Sequence, residues 1–399
     1  MTTAINRLNA IANSVAGAYV ARDELVEYLK YSVIAQSNIL VVGPPGAAKS
    51  ALFGDFIAHL DGQHGFFALT KGSTPETVLG PMSLKAIKDE DTFRYNISGM
   101  APDCDFIFID EVFKGNALTR NALLQVINER RFFNGNQMVT CPLRMASAAS
   151  NEYPDAIEDA AFRDRFLTTI EVDYIADDYQ RMRMVNIARK RGRAFAHGQV
   201  AISLAELDEL HAESREVSIP DAVGLKACQI NDAVSMLGQG AKIGDRRFAE
   251  SFNLAAARAL CHGRTVMELD DLEVFCHTAW RDPELRTEIQ RLVLRTINPE
   301  IADITTYFDE IELGFTTFKQ RLAEAASGNN ADLKLSAHAE YMQMAGSSID
   351  KMNSIIGQLA GSGRDIAKAQ EFVYRAKERV EEASHLTWNT MSKTSHDSN

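Results

Sequence analysis

The chain has 399 residues, 46% of them apolar and 24% charged, with a formal net charge of −12. That length exceeds one ordinary core and implies two or three domains, while the acidic balance disfavours a nucleic-acid partner held by counterion release. No apolar run approaches the roughly 20 residues of a membrane helix. The five cysteines form no Cys-x-x-Cys or Cys/His metal pattern, and residues 1–7 lack the basic-then-apolar order of a secretory signal, so a cytoplasmic protein with reduced thiols is expected.

Residues 22–36 repeat apolar positions every three or four residues and predict a helix. The short apolar run Asn38-Ile39-Leu40-Val41-Val42 then reads as a strand, stopped by Gly43-Pro44-Pro45-Gly46, and helical spacing resumes at Ser50–Ala58. Four further runs read as strands, at 65–70, 105–110, 143–150 and 167–172, with helical segments between most of them. Such alternation predicts a mainly parallel five-stranded sheet covered on both faces, an α/β fold with its site at the carboxyl ends of the strands. An Asn-Gly step between 132 and 143 predicts a small hairpin before the fourth of these strands.

From about residue 177 the pattern is helical. The expected organisation is an αβα core over 1–176, a helical domain over 177–285 and a C-terminal bundle over 286–385. A polar, disordered tail is expected over 386–399. The bundle rests on three stripes in steps of three and four, beginning at Ile301, at Met342 and at Ile366 and separated by Gly/Asn/Ser loops.

Strand, glycine loop and helix together form the context of a phosphate site. Backbone N–H groups of the loop converge on phosphate oxygens at a helix N-terminus, Lys49 adds a full positive charge, and Ser50 can ligate Mg²⁺. The loop carries Ala48 where its strict pattern has glycine; the extra methyl is expected to be tolerated at negative φ and to clash at positive φ. The apolar strand Phe106-Ile107-Phe108-Ile109 ends in Asp110-Glu111, where the first acid can hold the Mg²⁺ shell and the second can polarise an attacking water. Asn151, at the end of the fourth strand, can hydrogen-bond a γ-phosphate and that water. Arg163 and Arg165 flank Asp164 before the fifth strand, and either can reach into a neighbouring subunit's site or pair locally. Arg246 and Arg247, at a predicted helix start, can reach back over the nucleotide.

These residues in this order resemble the MoxR branch of AAA+ ATPases, and within it the RavA group, over about residues 20–285. The resemblance rests on Gly43 to Ser50, Ser73-Thr74-Pro75-Glu76 with Gly80-Pro81-Met82-Ser83, Phe108-Ile109-Asp110-Glu111 and Leu123 to Arg130. It extends to Ala148-Ala149-Ser150-Asn151-Glu152, Asp164-Arg165-Phe166 and Asp245-Arg246-Arg247. It implies a P-loop AAA+ core with a helical lid. ATP would be bound by Gly43, Pro44, Pro45, Gly46, Ala47, Ala48, Lys49, Ser50, Ala51, Asp110 and Arg246, with Mg²⁺ at Ser50 and Asp110.

Catalysis would fall to Lys49, Glu111, Asn151 as sensor 1 and Arg165 as the arginine finger, with Arg246 as sensor 2. Gly244 departs from the serine frequent in the sensor 2 motif and leaves Arg246 and Arg247 both open. The segment around 80–99 corresponds to an insert that tends to face a central pore. Family members form hexameric rings that remodel protein clients beside a partner with a von Willebrand factor A (VWA) domain. RavA relatives also carry a β-rich insertion where this chain has only Ala326–Ala331, so whatever partner that insertion recruits is not implied here. Alternatives are a nucleotide-gated adaptor with slow turnover and a nucleic-acid-dependent AAA+ ATPase, the latter without a basic stripe to support it.

Overall fold

The computed structural model describes residues 3–153, 160–191, 202–238, 241–327, 330–361 and 366–396. The chain divides after Gln290 into two compact units.

The first unit begins with α1 (Thr3–Ala18), an amphipathic helix burying Ile5, Leu8, Ile11 and Val15, and α2 (Asp23–Ala35). Strand β1 (Ile39–Val42) follows and leads through the glycine loop into α3 (Lys49–Ile57). The remaining strands are β2 (His64–Ala68), β3 (Phe106–Asp110), β4 (Arg131–Asn134), β5 (Gln137–Thr140), β6 (Met145–Ser150) and β7 (Thr168–Glu171). Five of them form one sheet in the order β2-β3-β6-β1-β7, and every neighbouring pair is parallel. The central strands β1 and β6 are buried at every residue, as expected where helices cover both faces. Because β6 lies between β1 and β3, the chain leaves all three strands at one edge of the sheet: Gly43, Glu111 and Asn151 each follow a carboxyl end there.

Strands β4 and β5 pair as the expected hairpin. Its turn is centred on Gly135-Asn136, with Gly135 at φ +66° supplying the left-handed first position that such a two-residue turn requires. Asn134 fastens the hairpin to the preceding insert by accepting from Tyr95 N at 2.6 Å and donating to Tyr95 O at 3.0 Å. Helix Ala117–Leu124 widens into a π-helical turn over Gln125–Glu129 before β4. The helical part of this unit includes Asp178–Arg191, Leu204–Arg215, Asp221–Met236 and Asp245–Cys261.

The second unit holds the three long helices Pro299–Ser327, Ala331–Gly361 and Ala367–His396. Their shared core contains Ile301, Ile304, Phe308, Ile311, Phe315, Phe318 and Leu322, with Ala345, Met352, Leu359, Ala369, Val373 and Ala376 facing them. The polar tail expected after residue 386 is instead helical through His396. The stripe continues beyond Val380 through buried Ala383 and Thr387, with Leu386 packed against the core, so burial extends the helix where composition alone reads as disorder. Of the loops expected near 327–331 and 361–363, residues 328–329 and 362–363 lie outside the described residues.

Candidate nucleotide site

The glycine loop is shaped by what surrounds it. A side chain at Gly43 would bring its Cβ within 2.0 Å of Val172 O, so only glycine fits beside β7. Gly46 is left-handed at φ +80°. Ala48, whose methyl is expected to be tolerated at negative φ and to clash at positive φ, also sits in the left-handed region, at φ +64°. That conformation costs an L-residue about 1–2 kcal/mol, so contacts elsewhere must hold it.

Four loop carbonyls are tied to side chains. Lys49 Nζ donates to Gly43 O and to Pro44 O at 3.0 Å. Tyr174 Oη donates to Pro45 O at 2.9 Å, and Arg22 Nε donates to Ala47 O at 3.2 Å. Among the described hydrogen bonds none uses the N–H of Gly46, Ala48, Lys49 or Ser50 as donor. Carbonyls bound away and free N–H groups at the start of α3 make an anion cradle. Sequence reasoning gives no signal for Arg22 or Tyr174, since an arginine before a helix and a tyrosine in a linker both read as ordinary solvated residues.

Lys49 joins this loop to the neighbouring strands. Its Nζ donates to Asn151 Oδ1 at 2.8 Å, and Asn151 Nδ2 donates to Glu111 Oε1. The second oxygen of Glu111 lies 3.1 Å from Lys114 Nζ. Glu111 turns back at φ +53°, and its N–H donates to Asp110 Oδ1 at 3.0 Å. Burial lowers the Lys49 pKa from its ordinary value, opposed by the charges of Asp110 and Glu111. Five predicted residues (Lys49, Ser50, Asp110, Glu111 and Asn151) therefore share the carboxyl edge of β1, β3 and β6.

Ser50, exposed in the first turn of α3, and Asp110 offer the hard oxygen donors that Mg²⁺ takes. Among the described residues no three His, Cys, Asp or Glu side chains cluster as a metal cage. This donor set suits an ion completed by phosphate oxygens and water, the usual manner for Mg²⁺.

The predicted arginines lie elsewhere. Asn38, just before β1, donates to Arg165 O at 3.0 Å, and Thr168 pairs with Ile39, so Arg165 sits at the amino edge of the sheet. The length of β1, roughly 13 Å, separates that edge from the glycine loop. There a cavity of about 100 Å³ is lined by Arg165, Arg246, Arg130, Asn38 and Glu250. Arg246 pairs with Glu250 at 2.7 Å. The expectation that Arg246 reaches over its own chain's nucleotide is therefore corrected: the packing of helix Asp245–Cys261 aims it into the cavity that Arg165 lines.

The two alternatives have structural duties. Arg247 is buried and donates to Phe166 O at 2.9 Å and Thr278 O at 3.2 Å. Arg163 is buried over the Trp280 ring, 5.4 Å from its centroid. Burial, and then the charges of Arg247 and Arg281, push the Arg163 pKa down to about 10.

Comparison with known proteins identifies the family of the chain. Residues 6–212 match the family described as the MoxR domain in the MoxR-vWA-beta-propeller ternary systems, and residues 226–293 match an AAA lid domain. An uncharacterised protein of Methanocaldococcus jannaschii is 31% identical over 283 residues, spanning 71% of this chain and 72% of its own. The chaperone MoxR1 of Mycobacterium tuberculosis is 26% identical over 166 residues, 41% of this chain and 43% of its own. A crystal structure of a candidate ATPase from Cytophaga hutchinsonii superposes with a TM-score of 0.60 at 19% identity, covering 74% of this chain and 95% of that one.

Proposed function

Since this chain belongs to the MoxR family of AAA+ ATPases, we propose that it hydrolyses Mg²⁺-bound ATP between the glycine loop and the Asp110-Glu111 strand end. The observation that supports this most is the connected set Lys49, Asn151 and Glu111 at adjoining strand ends. Lys49 and the loop N–H groups bind the phosphates, and Ser50 and Asp110 hold the Mg²⁺, which neutralises charge on the transferred phosphoryl group when bound. Glu111 orients and polarises water, and Asn151 positions that water against the terminal phosphate.

Arg165 and Arg246 act on a neighbouring subunit's nucleotide. Their shared cavity lies at the amino edge of the sheet, out of reach of their own loop, so the reaction needs a homo-oligomeric ring, a hexamer in this reading. The ring remodels a protein client beside a VWA-domain partner, as the name of the matched family suggests. The insert and hairpin support client contact, because Leu84 and Phe93 are 80% and 69% exposed and Phe133 and Met138 of the hairpin are exposed as well. No helix among the described residues is long and apolar enough to cross a membrane.

The test is steady-state ATP turnover per subunit against protein concentration, with and without Mg²⁺. Turnover that rises with concentration and disappears on chelation supports the reading; concentration-independent turnover removes the trans role of the arginines.

A further inference from the structure

Arg22 spends its guanidinium in an unusual way. It is only 9% exposed, yet its nitrogens go to three backbone carbonyls from separate parts of the chain. Nε donates to Ala47 O at 3.2 Å, Nη1 to Ala21 O at 2.7 Å and Nη2 to Asp173 O at 2.6 Å. These carbonyls belong to the glycine loop, the turn between α1 and α2, and the linker after β7. Carbonyls satisfy the donors but carry no net charge; burial lowers the Arg22 pKa, and the charge of the Asp173 carboxylate only partly opposes it. Burying a cation on such terms is costly, so a structural staple alone is a poor account of it.

The carbonyl of Ala47 belongs to the peptide whose N–H is that of Ala48. Fixing this carbonyl outward fixes the Ala48 N–H on the opposite side, toward the phosphate cradle. It also holds the one loop residue that pays for a left-handed φ without being glycine. We propose that Arg22 is a positioning residue of the nucleotide site: it clamps the Ala47–Ala48 peptide in its phosphate-binding orientation against the preference of Ala48 for negative φ. The same side chain joins this peptide to the linker that carries Tyr174, which holds Pro45 O. The inference rests on the proposed nucleotide site, and it predicts that Arg22 matters because residue 48 is not glycine.

The experiment is a double-mutant cycle on the full chain with Mg²⁺ and fluorescently labelled ADP. Arg22→Gln is expected to weaken ADP binding about tenfold, the scale of a lost hydrogen bond from a charged donor. In the Ala48→Gly background, where φ near +64° carries no penalty, the same change is expected to weaken binding less than about threefold. Turnover at saturating ATP is expected to change far less than KM in either background. Arg22→Lys, which keeps the charge but not the fork, gives an intermediate loss with the same dependence on residue 48, and serves if Arg22→Gln does not fold. Equal losses in both backgrounds, or no loss in either, overturn the proposal. Failure of the unmodified chain to bind ADP instead overturns the nucleotide site itself.

Discussion

Lys49 Nζ lies 2.8 Å from Asn151 Oδ1, and the same amide donates through Nδ2 to Glu111. One side chain thus bridges the cation of the glycine loop and the acid that would act on water, so nucleotide entry must draw Lys49 toward phosphate and change what holds Glu111.

Asn151 should therefore govern turnover more than binding. Asn151→Ala is expected to leave labelled-ADP affinity within about threefold and to lower steady-state turnover about a hundredfold, the scale of one lost polar contact to the reacting groups. Fluorescence titration and a phosphate-release assay read the two quantities separately.

The shared cavity of Arg165 and Arg246 predicts complementation between defective subunits. Arg165→Ala should retain ADP binding and lose about a thousandfold in turnover, and Lys49→Ala should lose nucleotide binding. Mixed together, the two variants should regain measurable turnover, because an intact Arg165 from a Lys49→Ala subunit can serve an occupied site next door. A mixture no more active than its parts would place Arg165 outside the reaction.

Asp271 anchors the region that matches the AAA lid. Wholly buried, it accepts from Arg264 Nη2 at 2.7 Å, Arg258 Nη1 at 2.8 Å and Glu268 N at 2.8 Å. Burial alone would raise its pKa, but the Arg264 hydrogen bond, the Glu268 N–H and Arg258 together lower it. A folded pKa below the unfolded value near 4 means that this stabilisation is present above about pH 4 and is lost as pH falls through the folded value. Asp271→Asn should cost roughly 3 kcal/mol at pH 7, since it leaves two arginines without their buried partner. Urea denaturation should show this deficit shrinking below pH 4.

Much of the site is legible in the sequence because it depends on local signals. Strand runs, the Gly43–Ser50 loop and the acids ending an apolar strand are contiguous, and the sheet brings their ends together as parallel alternation requires. Features set by distant contacts are not legible. Arg22 meets the loop and the linker after β7 only through contacts distant in sequence. The left-handed φ of Ala48 depends on that contact, and the aim of Arg246 depends on how its helix docks near β7. The helix through His396 escapes a composition-based reading because spaced Ala383 and Thr387, rather than large apolar residues, supply its burial. The α1 helix is legible in retrospect, with Ile5, Leu8, Ile11 and Val15 at helical spacing.

Glu111→Gln tests the central claim most directly, because it keeps the shape of the side chain and removes only its capacity to polarise water. Labelled-ATP titration and single-turnover hydrolysis on this variant should show affinity within about threefold of the unmodified chain and turnover at least about a hundredfold lower. Hydrolysis at the unmodified rate would contradict the account.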